Sequence, residues 1–279
     1  MEEKVLYSME SPFQQEINVK GYYFGKNEGK EHSACIVGAL RGNEYQQLYI
    51  CSKLIDVLKK IEKHGDIVGE NGILVIPSVS NMSMDFGKRF WISDDTDLNR
   101  LFPGNPSGDR EAVWHMRLWK RQKDTDMAFI CHPFILGERL CPHIRLLDPE
   151  HGSTSLANLF GLPYVIEAKS RPFDRTTLHN NWQRNGTEAF SLYTGMTGKI
   201  DDELAAQAVS SILRFLTRMG IIRYYSHSGY IASVLKEGDL EPIMTEAAGI
   251  FIKKAECGQE VSRGDVLAQI MKADSGEII

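Results

Sequence analysis

Three short segments of the chain combine side chains that could do chemistry, and each follows or includes an apolar run that predicts a buried strand. The segments are Gly38–Glu44 (GALRGNE), Arg89–Gly104 with its DLNRLFPG stretch, and Asp126–His132 (DMAFICH). A carboxylate and an imidazole can share a metal ion, and arginine and asparagine can bind a carboxylate. Because open α/β sheets place their sites at the carboxyl ends of strands, we expect these segments to meet at one edge of a sheet.

The elements that must position these segments alternate between strand and helix. Apolar spacing predicts helices over Glu44–His64, Asp109–Gln122, Ser153–Phe160 and Asp201–Met219. Apolar and branched runs predict strands over Ile17–Phe24, Ser33–Val37, Gly72–Pro77, Asp126–Cys131, Ile144–Leu147, Tyr164–Glu167 and Ala189–Tyr193. This order predicts an α/β fold with a mixed central sheet flanked by helices over residues 1–225. Short strand-like runs with glycine turns predict a small all-β appendage over residues 226–279.

The composition is that of an ordinary globular protein and narrows the class of partner. The chain has 279 residues, of which 42% are hydrophobic and 25% are charged, and its formal net charge is −5. A general nucleic-acid binder usually carries a basic excess, so this charge argues against that partner. No apolar stretch reaches the roughly 18 to 20 residues of a membrane helix, and the acidic start MEEK is unlike a secretory signal.

The cysteines predict the compartment. Their number is odd and they show no CxxC spacing, so we expect mostly buried free thiols in a reducing cytoplasm. The five are Cys35, Cys51, Cys131, Cys141 and Cys257.

The sequence resembles the succinylglutamate desuccinylase/aspartoacylase family, which has a zinc-carboxypeptidase-like fold. Typical members carry H-G-[DN]-E, then D-[LI]-N-R-x-F-P-G, then a strand that ends in histidine, and later a strand close to A-F-T-[LI]-E-x-G. This chain reads RGNE at 41–44, DLNRLFPG at 97–104, DMAFICH at 126–132 and AFSLYTG at 189–195. The resemblance covers most of the chain, and the DLNRLFPG match is long and specific.

The resemblance implies a zinc-dependent amidohydrolase that cleaves, or descends from enzymes that cleave, the amide bond of an N-acyl amino acid. It implies that Glu44 and His132 hold the metal, and that Arg89, Asn99 and Arg100 bind a substrate carboxylate. A catalytic zinc site needs about three protein ligands and a water molecule. The zinc lowers the pKa of that water.

Two central positions depart from the family pattern. Arg41 stands where the family has its first histidine ligand, and a guanidinium stays protonated and cannot ligate zinc. Tyr193 stands where the family has its general acid/base glutamate. A tyrosine is a poor base at neutral pH, but it could donate a hydrogen bond to an oxyanion. A pairing of Arg41 with Glu44 would argue against a metal at this place.

Two interpretations of these departures stay open. In one, the protein has lost zinc hydrolysis and binds a small carboxylate without catalysis through Arg41, Arg89 and Arg100. In the other, the site is rebuilt with a replacement ligand. His143 is then a better candidate than Cys131, because neighbouring residues of a strand point to opposite faces. The other candidates for a replacement ligand are Glu138, Glu167 and Glu188.

Several side chains also have simple structural interpretations. Arg100 could pair with Asp95 or Asp97 in its own loop. The polar stretch HNNWQRNG, with His179, Trp182 and Arg184, could cap the pocket but favours a solvated loop. The aromatic cluster Phe90, Trp91 and Phe102 predicts packing. The expected partner is a small-molecule carboxylate, with no nucleic acid and no membrane. The sequence leaves a homo-oligomer open, and a weaker hypothesis gives the β tail an assembly role through its strand edge.

Overall fold

The apolar runs of the sequence form the strands of one central sheet. A computed structural model describes residues 1–10, 16–26, 32–105, 107, 125–134, 141–148, 153–226 and 228–279. The helix predicted over Asp109–Gln122 and the candidate ligand Glu138 lie outside the described residues.

Within the described residues, nine strands join in the spatial order β1-β2-β4-β3-β5-β8-β6-β7-β9. Their bounds are β1 Glu2–Glu10, β2 Glu16–Gly25, β3 His32–Ala39, β4 Gly72–Ser78, β5 Thr125–Phe134, β6 His143–Leu147, β7 Tyr164–Ala168, β8 Glu188–Met196 and β9 Ser233–Lys236. β4, β3, β5 and β8 are parallel neighbours, so their carboxyl ends meet at one edge. β6 runs antiparallel to β8, which brings its amino end to the same edge.

Two long helices cover one face of the sheet. α1 (Tyr45–Lys63) and α5 (Asp202–Arg218) pack against each other over an apolar core. Four phenylalanine rings interlock in this core, with centroids 4.4 to 5.9 Å apart: Phe129, Phe160, Phe190 and Phe215. Buried aromatic rings of this kind each contribute about 1.5–3 kcal/mol through removal from water.

Short helices and long loops cover the opposite face. The helices α2 (Asn81–Asp85) and α4 (Leu178–Arg184) belong to it, and Trp91, Phe102 and Trp182 are buried there. The remaining short helix is α3 (Thr154–Ala157), which precedes β7. The burial of Trp91 and Phe102 confirms that these rings pack in the core.

The predicted fold class is confirmed: the chain has a mixed sheet flanked by helices and a separate two-stranded sheet near its carboxyl end. The two-stranded sheet consists of β10 (Ile250–Lys253) and β11 (Ala268–Met271). Two strands were not expected in the main sheet. β1 pairs with β2 at one edge, and β9 pairs with β7 at the other. Because β9 follows residue 225, the main sheet extends beyond the expected boundary, and a division of domains there stays a prediction.

The cysteines differ in part from the expectation. Cys141 and Cys257 form a disulfide, which ties the segment before β6 to the carboxyl-terminal segment. Cys35, Cys51 and Cys131 are buried thiols outside the disulfide, as expected. None of the described helices has the length and apolar character that crossing a bilayer requires. A cytoplasmic location stays a prediction.

The turn that leads from β3 into α1 depends on close packing at Gly42. A Cβ atom added there would lie 2.3 Å from the carbonyl oxygen of Lys88 and 2.4 Å from the carbonyl carbon of Ser83. Real Cβ atoms do not approach backbone atoms this closely, so only glycine lets the loop after β4 lie over this turn.

We therefore expect Gly42→Ala to lower the free energy of unfolding by about 1–3 kcal/mol, through overpacking against rigid backbone. Urea denaturation of the purified protein measures the change. Gly238→Ala is the control, because no atom lies within 4 Å of a Cβ at that position. Equal stability of the two variants would contradict the packing described here.

Candidate functional site

Three aromatic side chains stand side by side where β5, β8 and β6 meet the common edge. His132 pairs in register with Tyr193, and Tyr193 pairs with His143. The ring centroids of His132 and Tyr193 are 5.1 Å apart, and those of Tyr193 and His143 are also 5.1 Å apart and nearly parallel. Tyr193 therefore stands between the two imidazoles.

A cavity of about 240 Å³ opens beside these rings. It brings together six of the seven residues that the sequence singles out: Arg41, Arg89, Asn99, Arg100, His132 and Tyr193. Two further arginines, Arg145 and Arg171, also line it. Glu44 is buried behind Arg41 rather than in the cavity wall.

Arg41 connects two carboxylates at the back of this cavity. Its Nε and Nη2 donate to the two carboxylate oxygens of Asp97 at 3.0 and 2.9 Å, which is the bidentate geometry of a strong ion pair. Its Nη1 donates to Oε1 of Glu44 at 3.1 Å. Burial alone would lower the pKa of Arg41, but the hydrogen bonds and charges of Asp97 and Glu44 raise it. The guanidinium therefore stays charged.

Glu44 uses its other carboxylate oxygen on the backbone of the turn. Oε2 accepts hydrogen bonds from the N–H groups of Leu40 and Arg41 at 2.8 and 3.1 Å. Burial raises the pKa of Glu44, while the Arg41 charge and these N–H donors act in the opposite direction. Both oxygens of Glu44 thus have donors from the protein itself.

These contacts do not fit a zinc ion held by Glu44. Zinc requires lone pairs directed at the ion, and here a permanently protonated guanidinium faces the carboxylate. Among the residues that the structure describes, no group of three His, Cys, Asp or Glu side chains is arranged to hold a metal. The pairing of Arg41 with Glu44 is the arrangement that, on sequence grounds, argues against a metal at this place.

The described replacement ligands do not complete such a site either. His143 and His132 are separated by the strand that carries Tyr193, which places their backbones about 10 Å apart at the usual strand spacing. Cys131 points into the apolar core on the face away from His132, as strand alternation predicts. Glu188 lies at the opposite end of β8 from Tyr193. Glu167 accepts a hydrogen bond from Thr154.

Asn99 and Arg100, the last two residues of the DLNR motif, have hydrogen-bond partners on the segment that leads into α4. Nη1 of Arg100 donates to the carbonyl oxygen of Phe173 at 3.0 Å and lies 3.6 Å from Asp174. Arg100 therefore pairs with Asp174, rather than with Asp95 or Asp97 of its own loop. Oδ1 of Asn99 accepts from the N–H of Leu178 at 3.0 Å, which fixes the start of α4 against the cavity.

Among the residues that the structure describes, no carboxylate pairs with the cavity arginines Arg89 and Arg145. Within the described part of the chain neither has a salt bridge, whereas Arg41, Arg100 and Arg171 each have one. The Nε atoms of Arg89 and Arg145 are buried without a hydrogen-bond partner. Two positive charges are thus available to an anion in the cavity.

The buried histidine and tyrosine side chains of the cavity are neutral. Burial and then the charge of Arg41 lower the pKa of His132 well below its ordinary value, so its imidazole carries no charge at neutral pH. Burial raises the pKa of Tyr193, against the charge and hydrogen bond of Arg145, so its phenol keeps its proton. Tyr193 can therefore donate a hydrogen bond to a ligand oxygen.

The polar stretch expected to be a solvated loop forms the buried helix α4 instead. Trp182 in this helix is fully buried, and His179 lines the cavity, where its Nδ1 lies 2.8 Å from the hydroxyl oxygen of Ser191. Burial lowers the pKa of His179 to about 3, so it is too weak a base to activate Ser191 at neutral pH. Arg184 is exposed at the end of the helix.

Sequence reasoning did not assign a site role to Arg145, Arg171 or Ser191 of the cavity wall, and it favoured a solvated loop for His179. A local signal existed for Ser191, because it lies two residues before Tyr193 on a strand and so shares its face. Arg171 lies in a loop that reaches the cavity only through tertiary packing, so no local pattern in the sequence marks it. It pairs with Glu237 from the segment after β9 at 2.7 Å.

The comparison with known families agrees with this geometry. Residues 30–219 match the family model for the succinylglutamate desuccinylase/aspartoacylase catalytic domain. The chain belongs to this family. The resemblance read from the sequence motifs is confirmed, and the family model spans every strand from β3 to β8.

Similar proteins within and around the family are distant in sequence. The chain is 23% identical over 264 residues to N-alpha-acetyl-L-2,4-diaminobutyric acid deacetylase of Halomonas elongata, covering 87% of this chain and 71% of that protein. A succinylglutamate desuccinylase/aspartoacylase structure from Rhodobacter sphaeroides superposes with a TM-score of 0.73 at 18% identity, over 94% of this chain and 79% of that one. The product-bound structure of the ectoine utilization protein EutE (DoeB) from Ruegeria pomeroyi superposes with a TM-score of 0.76 at 18% identity. This match covers 97% of this chain and 82% of that one.

The buried neutral His179 predicts a specific pH dependence of stability. Its folded-state pKa of about 3 lies below the ordinary 6.5, so unfolding takes up a proton below about pH 6.5. The stability that its neutral form contributes is present above pH 6.5 and is lost as the pH falls towards 3. For this one group the free energy of unfolding should fall by up to about 1.4 kcal/mol per pH unit.

We expect His179→Gln to flatten this dependence in urea denaturation between pH 7 and pH 5, because glutamine does not titrate. His64→Gln, at an exposed position, is the matched control and should leave the slope unchanged. The same slope in His179→Gln as in the unmodified protein would contradict the buried neutral state.

Proposed function

We propose that this protein binds a small N-acyl amino acid by its carboxylate in the arginine-lined cavity, without zinc-dependent hydrolysis. One observation carries the proposal: Arg89 and Arg145 line the cavity and, within the described residues, have no carboxylate partner. Both residues are half-buried, and their buried Nε atoms lack a hydrogen-bond partner. A ligand carboxylate would offset the cost of these unpaired donors through charge-assisted hydrogen bonds.

Asn99 and Arg100 support the same interpretation. Both line the cavity, and both are held in place by backbone groups of the segment around Phe173 and Leu178. An anchored arginine loses less side-chain entropy when it binds a carboxylate, and its planar donors match the carboxylate oxygens. In this proposal Arg89, Asn99 and Arg100 hold the carboxylate of the amino acid.

Tyr193 would complete the ligand contacts through its phenol. The group is protonated and Arg145 lies within hydrogen-bonding reach of it, so it can be oriented as a donor. Its natural acceptor is the acyl carbonyl oxygen of the ligand. A neutral tyrosine donates but does not remove a proton at neutral pH, so this contact positions the acyl group rather than activating water.

The ligand class is supported by the relatives. Family members are deacylases by name, with acetylated diaminobutyric acid as the named substrate of one relative and succinylglutamate in the family name. We take the shared chemistry, an acylated amino group beside a carboxylate, as the class that this cavity binds. The acyl group and the amino acid are left open.

A second candidate is metal-dependent hydrolysis of the same ligand class. Family membership favours it, and so does the neutral His132 at the cavity wall, because a metal ligand must be deprotonated. This candidate needs Glu44 to hold the ion with His132. The ion pair of Glu44 with Arg41 opposes that role.

We expect Arg89→Met and Arg100→Met each to weaken binding of an N-acetyl amino acid by about 10- to 100-fold, as loss of a charged hydrogen bond costs about 1.5–3 kcal/mol. Isothermal titration with N-acetylated glutamate, aspartate and 2,4-diaminobutyrate measures the affinity. Arg218→Met, exposed on α5 away from the cavity, is the matched control. Unchanged affinity in both cavity variants, or no binding by the unmodified protein, would contradict the proposal.

Hydrolysis is tested separately by release of the free amine from the same compounds. We expect no turnover above background, with added zinc or with a chelator, because no three His, Cys, Asp or Glu side chains among the described residues are arranged to hold a metal ion. Zinc-dependent amine release that disappears in Glu44→Gln would favour the second candidate instead.

A further inference from the structure

We propose that the guanidinium of Arg41 is a built-in cation that takes over the charge role of a metal ion at the back of the cavity. The site is then permanently metal-free, and replacement of this one side chain by histidine makes it able to bind zinc. The proposed function concerns the ligand of the cavity, whereas this proposal concerns the cation that holds the cavity wall together.

The charges around Arg41 show why a cation is needed there. Glu44 is 1% exposed, and the side chain of Asp97 is 17% exposed. Two carboxylates this far from water repel each other and are costly to bury without a positive group between them. Arg41 contacts both and is itself buried, so the cation is part of the folded chain and does not depend on the supply of an ion.

The bonds of Arg41 also tie together two distant parts of the chain. Glu44 and Arg41 belong to the turn between β3 and α1, and Asp97 begins the short 3₁₀ helix Leu98–Arg100. Asp97 accepts from the backbone N–H of Asn99 at 3.0 Å while it binds Arg41. The guanidinium thereby fixes the position of the segment that carries Asn99 and Arg100 relative to the sheet.

Glu44 does not need the Arg41 side chain for its orientation. Its Oε2 is held by the backbone N–H groups of Leu40 and Arg41, which remain after a substitution at position 41. A shorter side chain there would leave Oε1 without its guanidinium donor. An imidazole at this position would present a lone pair, and Glu44, the imidazole and His132 are ligand types that zinc accepts.

The test compares zinc binding by the unmodified protein, by Arg41→His and by the double variant Arg41→His/Glu44→Gln. Each protein is equilibrated with zinc, freed of excess ion by gel filtration and analysed for bound metal. We expect essentially no zinc on the unmodified protein and about one zinc per chain on Arg41→His. The double variant should bind none. Zinc should raise the thermal midpoint of Arg41→His alone, and a chelator should reverse the rise.

Stoichiometric zinc on the unmodified protein that is lost in Glu44→Gln would overturn the inference. So would a folded Arg41→His that binds no zinc. If Arg41→His does not fold, the unmodified protein decides: a thermal midpoint unaffected by zinc and by chelator supports the inference, and a midpoint that a chelator lowers overturns it. These readouts do not use the ligand, so a protein that behaves as expected here but binds no N-acyl amino acid would refute the proposed function alone.

Discussion

The buried contact of Arg41 with Glu44 and Asp97 is the interaction on which the site depends. It supplies a cation to the buried carboxylate of Glu44 and the half-buried carboxylate of Asp97, and it joins the turn after β3 to the segment that carries Asn99 and Arg100. The same contact removes Glu44 from the set of available metal ligands. Arg41 thus holds the walls of the cavity in place and also opposes the zinc chemistry that the family resemblance implies.

The electrostatics of the cavity suit binding better than proton transfer. Its histidines are neutral because burial and neighbouring arginines disfavour their charged forms, and its tyrosine keeps its proton. Of the cavity arginines, Arg89 and Arg145 have no carboxylate partner in the part of the chain that the structure describes, so their charges are available to a ligand. Such a cavity attracts an anion and orients it through fixed donors, whereas the lowered pKa of His132 and of His179 makes both imidazoles weak bases.

Much of the fold could be predicted from the sequence, because the central strands are buried apolar runs whose pattern is local. The strand Ala189–Tyr193 and the helix Asp201–Met219 were expected within a few residues of their observed bounds. The sequence does not predict β1, because its side chains are mostly exposed and form no apolar run. The polar sequence of α4 favours a solvated loop, but the structure buries this helix. Its amides instead bond to buried backbone, as Gln183 does to the carbonyl oxygen of Leu147 at 2.6 Å.

The site was predictable only where motifs mark it. The presence of Arg41 at a histidine position could be read directly, but its pairing with Asp97, 56 residues away, is a tertiary contact. Diffraction at the zinc absorption edge, from crystals of the unmodified protein grown with zinc, tests the account most directly. The account predicts the Arg41 guanidinium between Glu44 and Asp97 and no anomalous peak there. An anomalous peak bonded to Glu44 and His132, with Arg41 turned away, would contradict it.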